Sequence, residues 1–185
     1  IFLRALRKLS DEDKETISGV TFLGKNVTLG KIDSFTYIMN QTKNLGLAVN
    51  IISDYDRTNA NEYIKRKNVL VIIPSLVENS PYTVYECLVN NVNFLASNVG
   101  GIPELIPQEH HAEVLFTPTP VDLYGKIHYR LKNINIKPGL VESQENIQAA
   151  WFAAIERKDN SVFKKIDESN RPLVSVCITH FDRHH

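Results

Sequence analysis

The chain has little of what marks a secreted, a membrane-spanning or a nucleic-acid-binding protein. Its two cysteines, Cys87 and Cys177, lie far apart in apolar stretches, which favours buried free thiols in a reducing compartment. Acidic and basic residues balance at 21 each, so no net field favours nucleic acid or an anionic membrane. No apolar run approaches the length of a membrane span, and the first residues do not read as a signal peptide. These features predict a cytoplasmic protein with no nucleic-acid partner and no membrane span.

Three further signals are missing. There is no glycine-rich fingerprint of the dinucleotide type, so a nicotinamide cofactor is not predicted. His180, His184 and His185 cluster at one end without the partners that a metal site needs, and we expect a metal-independent protein without a cofactor. A flavodoxin-like or response-regulator domain is disfavoured, because such receiver domains need an acidic pair after the first strand and residues 22–25 offer none.

Apolar strand-like runs alternate with amphipathic segments along most of the chain. This order predicts an α/β fold with a Rossmann-like parallel sheet and helices on both faces. The predicted strands are residues 18–25, 47–52, 69–73, 92–96 and 113–116. The predicted helices are residues 1–9, 32–44, a segment around 60–64, 82–91, a short one at 103, and 121–131. We predict one domain over residues 1–160, incomplete at its N-terminus and ending in a helix over 143–158. Residues 161–185 are predicted to be a linker and the start of a following domain.

The segment after the predicted strand at residues 69–73 is the best candidate for a binding site. Five consecutive apolar residues suit a strand buried on both faces, and Pro74 ends it. Ser80 and Pro81 suit the N-cap and the first residue of a helix. That helix would begin near the carboxyl end of a central strand, where ligands bind in open α/β sheets. Its unpaired N–H groups and its dipole suit a phosphate.

Two acids bracket this helix start. Glu78 precedes the helix start, and Glu86 lies about one and a half turns inside the helix, roughly 9 Å from its start along the axis. A carboxylate repels phosphate but accepts hydrogen bonds from two hydroxyls at once, so the pattern suits a sugar nucleotide. The spacing is equally compatible with a Glu78 that merely interacts with the helix dipole and a solvated Glu86.

Other candidate residues follow the predicted strands. Gly24 would let the backbone approach a ligand closely, and Lys25 would either bind a phosphate or be solvated. Tyr55 is a candidate for stacking on a base. Gly100 and Gly101 would either turn main-chain N–H groups toward a ligand or form a plain turn.

The run Glu78-Asn-Ser-Pro-Tyr-Thr-Val-Tyr-Glu86 resembles the acid, seven residues, acid motif of retaining GT-B glycosyltransferases of family 4, glycosyl transferases group 1. Pro74-Ser75 and the stretch Gly100-Gly-Ile-Pro-Glu104 also lie where that family has them, and the resemblance covers roughly residues 1–135. It implies that Glu86 binds the ribose hydroxyls of the donor, that Glu78 contacts the donor sugar as the catalytic residue, and that the backbone between them holds the diphosphate. The donor-binding residues of that segment are Asn79, Ser80, Pro81, Tyr82 and Thr83.

The resemblance further implies the donor-binding half of a retaining, hexosyltransferase-type enzyme that uses a nucleoside diphosphate sugar. The glycan or lipid-linked acceptor is expected to bind through a lobe that this sequence lacks, as it lacks the family's upstream basic pair. We therefore expect weak nucleotide binding and no transfer by this fragment alone. Residues 79–81 depart from the family's glycine-rich motif, which leaves a degenerate, non-catalytic nucleotide-binding or scaffold module as the alternative. Residues 171–183 are similar to the opening strand of family 2 GT-A glycosyltransferases, which suggests a tandem parent enzyme.

Overall fold

A computed structural model describes residues 1–79, 81–133, 136–140, 146 and 149. The α-helices within residues 1–133 are α1 (Phe2–Leu6), α2 (Asp11–Thr16), α3 (Ser34–Thr42), α4 (Arg57–Ile64), α5 (Tyr82–Val89), α6 (Ile102–Leu105), α7 (His111–Val114) and α8 (Pro120–Lys132), and a 3-10 helix spans Gln108–His110. The strands of the described part are β1 (Val20–Leu23), β2 (Thr28–Leu29), β3 (Ile32–Asp33), β4 (Val49–Ile52), β5 (Val71–Ile73), β6 (Phe94–Ser97) and β7 (Leu115–Phe116). These elements belong to one compact unit, Ile1–Glu142.

Several predictions concern residues outside the described ones. Residues 146 and 149 are helical, but the rest of the helix predicted over 143–158, including Trp151, is not described. The linker at 161–170, the strand at 174–178 with Cys177, and the C-terminal histidines also lie outside the described residues.

The predicted parallel strands are present, and they form two sheets. β1 pairs in parallel with β4, with Val20 opposite Val49. β6 lies between β5 and β7 and is parallel to both. The parallel α/β architecture is therefore confirmed, although among the described residues β1 and β5 are not bonded to each other.

Helices cover both faces of the three-stranded sheet, as the alternation of β6 demonstrates. Phe94 and Ala96 belong to a core cluster that includes residues of α5, α6 and α7. Leu95, between them, belongs to the other cluster, which includes residues of α1 and α8. Because successive side chains of a strand point to opposite faces, β6 is buried from both sides, which explains its unbroken apolar run.

Two short elements were not predicted from the sequence. α2 begins with a capping box in which the Ser10 hydroxyl accepts from the Asp13 N–H and the Asp13 carboxylate accepts from the Ser10 N–H. β2 and β3 form a hairpin closed by Gly30 and Lys31, with Gly30 at a φ of 66°. The helix predicted from Ile32 therefore begins at residue 34, and residues 113–114, predicted as strand, end α7.

A cavity of about 1440 Å³ lies beside β1 and β5, at the edges that have no strand partner among the described residues. Every residue of both strands lines it. Since neighbouring side chains of a strand point to opposite faces, a run of consecutive lining residues means that the strand edge faces the cavity. Residues of α1, α3, α4, α5 and α8 also line it.

A hydrogen bond between the buried Asp13 and the half-buried His128 ties α2 to α8 and makes stability depend on pH. Nδ1 of His128 donates to Asp13 at 2.7 Å, and the Asp13 side chain is only 3% exposed. Burial by itself raises the pKa of Asp13, but hydrogen bonds from His128 and Ser10 outweigh it and hold the pKa below the ordinary 3.8. A lowered folded-state pKa contributes stability that is present above the unfolded-state pKa and is lost as pH falls through the folded-state pKa.

We expect the free energy of unfolding to fall as pH is lowered from about 5 to about 3, and to fall less steeply in Asp13→Asn. At neutral pH that variant should be less stable by about 1–2 kcal/mol, because it loses a charge-assisted hydrogen bond. Urea unfolding across this pH range measures both. If the free energy of unfolding of the two proteins fell equally with pH, Asp13 would not contribute to the acid sensitivity.

Candidate functional site

The candidate site lies at the carboxyl ends of β1, β4 and β5, beside α5. β5 ends at Ile73, a loop follows, and α5 begins at Tyr82 with Pro81 as its N-cap. Pro81 provides no side-chain cap, and the helix starts one residue later than a first-turn proline would place it. Ser80, predicted as the cap, lies outside the described residues.

Five of the predicted site residues line the cavity between the two sheets. They are Gly24, Lys25, Tyr55, Thr83 and Glu86. Glu78, Asn79, Pro81 and Tyr82 do not line it. The structure therefore brings the ribose candidate Glu86, the base candidate Tyr55 and the phosphate candidate Lys25 to one cavity. It places Glu78 and most of the segment predicted to hold the diphosphate outside the cavity wall.

Glu86 is held by a cation that was not among the predicted site residues. Nε of Arg57 donates to Oε1 of Glu86 at 2.7 Å, and both side chains line the cavity. The Glu86 side chain is only 22% exposed, whereas that of Arg57 is 77% exposed. The bond holds a largely covered carboxylate next to a positive charge, as charge-assisted hydrogen bonds do. The sequence signal was slight: an arginine just after an aspartate N-cap at the carboxyl end of a strand.

The residue after Glu86 has no reactive role. Cys87 is a buried free thiol, as predicted. Burial, together with the charge of Glu86, raises its pKa to about 12. Such a thiol remains protonated at neutral pH and serves as a small apolar side chain in the core.

Tyr55 and Lys25 stand at neighbouring strand ends. Tyr55 is 38% exposed, and its ring meets Tyr63 edge-on at a centroid distance of 6.1 Å. The Tyr63 hydroxyl donates to Oγ1 of Thr21 at 2.7 Å, which anchors that ring to β1. Lys25 is exposed and follows Gly24, whose N–H donates to the Ile52 carbonyl at 3.0 Å and closes the ladder between β1 and β4.

Gly100 is required for the acid-bearing loop to take its place. It has a φ of 53°, and a Cβ added there would lie 1.7 Å from the carbonyl oxygen of Glu78. Gly101 lies less tightly, with 3.7 Å between its Cβ position and the Asn79 carbonyl oxygen. The sequence left two alternatives for Gly100, a plain turn and a turn that faces a ligand. Neither predicted that Gly100 packs against the backbone of the loop that carries Glu78.

Two absences concern only the described part of the chain, residues 1–79, 81–133, 136–140, 146 and 149. Within them, no three His, Cys, Asp or Glu side chains gather as ligands for a metal would. None of the helices in the described part of the chain combines the length and apolarity needed to cross a membrane.

Parallel strands and helices on both faces define a Rossmann-like α/β domain, a fold in which ligands bind outside the carboxyl ends of the strands. The family model for glycosyl transferases group 1 matches residues 2–147. The chain therefore belongs to this family and is a glycosyltransferase domain, for which a nucleotide-sugar donor and an acceptor are implied. No curated protein matches the chain significantly.

Proposed function

We propose that this chain is the donor-binding half of a retaining, hexosyltransferase-type enzyme of family 4 and takes a nucleoside diphosphate sugar. The observation that carries the proposal is Glu86, a largely covered carboxylate that shares a cavity at the strand ends with Lys25 and Tyr55. A carboxylate accepts both hydroxyls of a ribose, an aromatic ring offers a face to a base, and a cation suits a phosphate. The donor-binding face would therefore be the cavity wall together with the start of α5.

In this proposal the chain acts on the leaving group. The bond between the anomeric carbon and the diphosphate breaks, a bond to the acceptor oxygen forms on the same face, and the acceptor proton passes to the departing phosphate. Negative charge grows on the diphosphate, so groups that stabilise it lower the barrier. N–H groups at the start of α5 and the Lys25 ammonium would supply that stabilisation, and Glu78 would contact the sugar.

A nucleotide-binding module without turnover is the second candidate. It is favoured by the position of Glu78, which does not line the cavity that Glu86 lines. Both candidates bind nucleotide, and only the first transfers sugar. Release of nucleoside diphosphate from a panel of sugar nucleotides, measured with glycan or lipid-linked acceptors on the longest available form of the protein, separates them.

Calorimetry with UDP, GDP and ADP tests the shared binding step. We expect one of the three to bind, and Glu86→Ala to weaken that binding about tenfold or more, because hydrogen bonds to a charged group are lost. Glu62→Ala is the matched control: Glu62 is an exposed acid on α4 that does not line the cavity. No heat with any nucleotide, or equal binding by Glu86→Ala and the unmodified chain, would overturn the donor-site assignment.

A further inference from the structure

Arg57 has a position that helix stability does not explain. It is the first residue of α4, and the first turn of that helix contains no acidic residue. A cation at a helix N-terminus opposes the helix dipole, where an acid would be favourable. Its ion pair with Glu86 adds little stability, because its own side chain is 77% exposed and screened by solvent. A cation at a helix start that adds little stability to the fold is a candidate for a functional residue.

The bond geometry leaves most of the guanidinium free. Arginine has five N–H donors, and the contact to Glu86 uses the one on Nε. Within the described residues, the four N–H groups on the two Nη atoms have no hydrogen-bond partner. Arg7 differs, since its Nη2 donates to Gln41. Arg57 is therefore a cation in the cavity wall that is held by its Nε and keeps its Nη donors available for a ligand.

We propose that Arg57 binds the phosphates of the nucleotide while its Nε remains on Glu86. The inference rests on the proposed function, in which Glu86 accepts the ribose hydroxyls. A nucleotide carries those hydroxyls and its 5′-phosphate on a single furanose ring. If Glu86 binds the ribose hydroxyls, Arg57, which is bonded to Glu86, lies about one sugar ring away from the phosphates. Two guanidinium nitrogens also match two phosphate oxygens better than an ammonium does.

This arrangement makes Arg57 and Lys25 the two cations of the phosphate site. Lys25 follows the carboxyl end of β1, and Arg57 follows that of β4, the strand paired with it. Both line the same cavity as Glu86. Diphosphate, unlike a bare nucleoside, would then draw on charges from two neighbouring strand ends.

The test compares a nucleoside with its diphosphate on the full 185-residue chain. NMR titration, which reaches millimolar affinities, is run with uridine, guanosine and adenosine and with their diphosphates. We expect Arg57→Ala to weaken diphosphate binding about tenfold or more and to change nucleoside binding less than about threefold. Arg57→Lys should recover part of the loss, since it keeps the charge but not the fork of donors. Lys65→Ala, at the other end of α4 and exposed, is the charge-matched control.

Each outcome decides between distinct conclusions. Equal losses for nucleoside and diphosphate would mean that Arg57 only positions Glu86, and unchanged diphosphate binding would mean that it has no part in the site; either result overturns this inference alone. If the unmodified chain binds no diphosphate, the proposed function and this inference fall together.

Discussion

Replacing Gly100 with alanine is expected to lower the free energy of unfolding by about 3 kcal/mol or more and to abolish nucleotide binding. A Cβ there would lie 1.7 Å from the Glu78 carbonyl oxygen, and residues other than glycine rarely adopt a φ of 53°. The obstacle is backbone, which cannot rotate away as a flexible side chain can. The loop bearing Glu78 must therefore move, and the start of α5 moves with it.

Two other glycines provide matched controls for this substitution. Gly101→Ala should be tolerated, because its Cβ would meet its neighbours at ordinary contact distances. Gly125→Ala, on the exposed face of α8, should stabilise the fold by up to about 1 kcal/mol, since alanine favours helix and nothing lies within 4 Å of the new atom. Chemical denaturation measures all three variants. A Gly100→Ala protein as stable as the Gly101→Ala protein would show that the two loops are not in contact.

Replacing Arg130 with alanine is expected to cost about 3–5 kcal/mol. Arg130 is fully buried on α8, donating to the carbonyl of Phe94 at 3.2 Å and to that of Ile136 at 2.7 Å. The guanidinium thus joins α8 to β6 and to the chain that follows the helix. Alanine would leave a cavity and would remove the Arg130 donors from the buried Phe94 carbonyl and the part-buried Ile136 carbonyl, which adds a desolvation cost to the loss of packing.

The pattern of variants at Arg130 separates packing from hydrogen bonding. Burial lowers the pKa of the Arg130 guanidinium, because the charged form is disfavoured away from water. Arg130→Met fills most of the same volume and removes that buried charge, so it should lower the free energy of unfolding less than Arg130→Ala does. Lys132→Ala, two residues further on the same helix and exposed, is the control and should change stability by less than about 0.5 kcal/mol. Urea unfolding gives the free energies. A loss below about 1 kcal/mol for Arg130→Ala would contradict the structural role assigned to this residue.

Local patterns in the sequence predicted most elements of the fold. Apolar runs located β5 and β6, and the spacing of apolar residues located α3 and α8, because these signals depend on neighbouring residues. Two local signals were available and were not used: Ser10 and Asp13 of the capping box, and Gly30 of the hairpin turn. The separation of β1 from β5 could not be predicted, since strand pairing depends on residues distant in sequence.

The same distinction applies to the site. Glu86 was predicted because the spacing of the two acids lies within one segment, and Lys25 and Tyr55, which line the same cavity, were predicted from strand ends. Arg57 was missed because its partner lies 29 residues away, and an arginine at a helix start resembles any solvated cation. The close approach of Gly100 to Glu78 likewise joins two loops that only the folded chain brings together.

The central claim is that Glu86 and the start of α5 receive one nucleoside diphosphate, and a crystal structure of the chain soaked with UDP, GDP or ADP tests it most directly. We predict ribose hydroxyls within about 3 Å of the Glu86 carboxylate oxygens, with the diphosphate between α5 and the Arg57 guanidinium. A nucleotide bound away from Glu86, or bound there by its phosphates rather than its ribose, would contradict the claim.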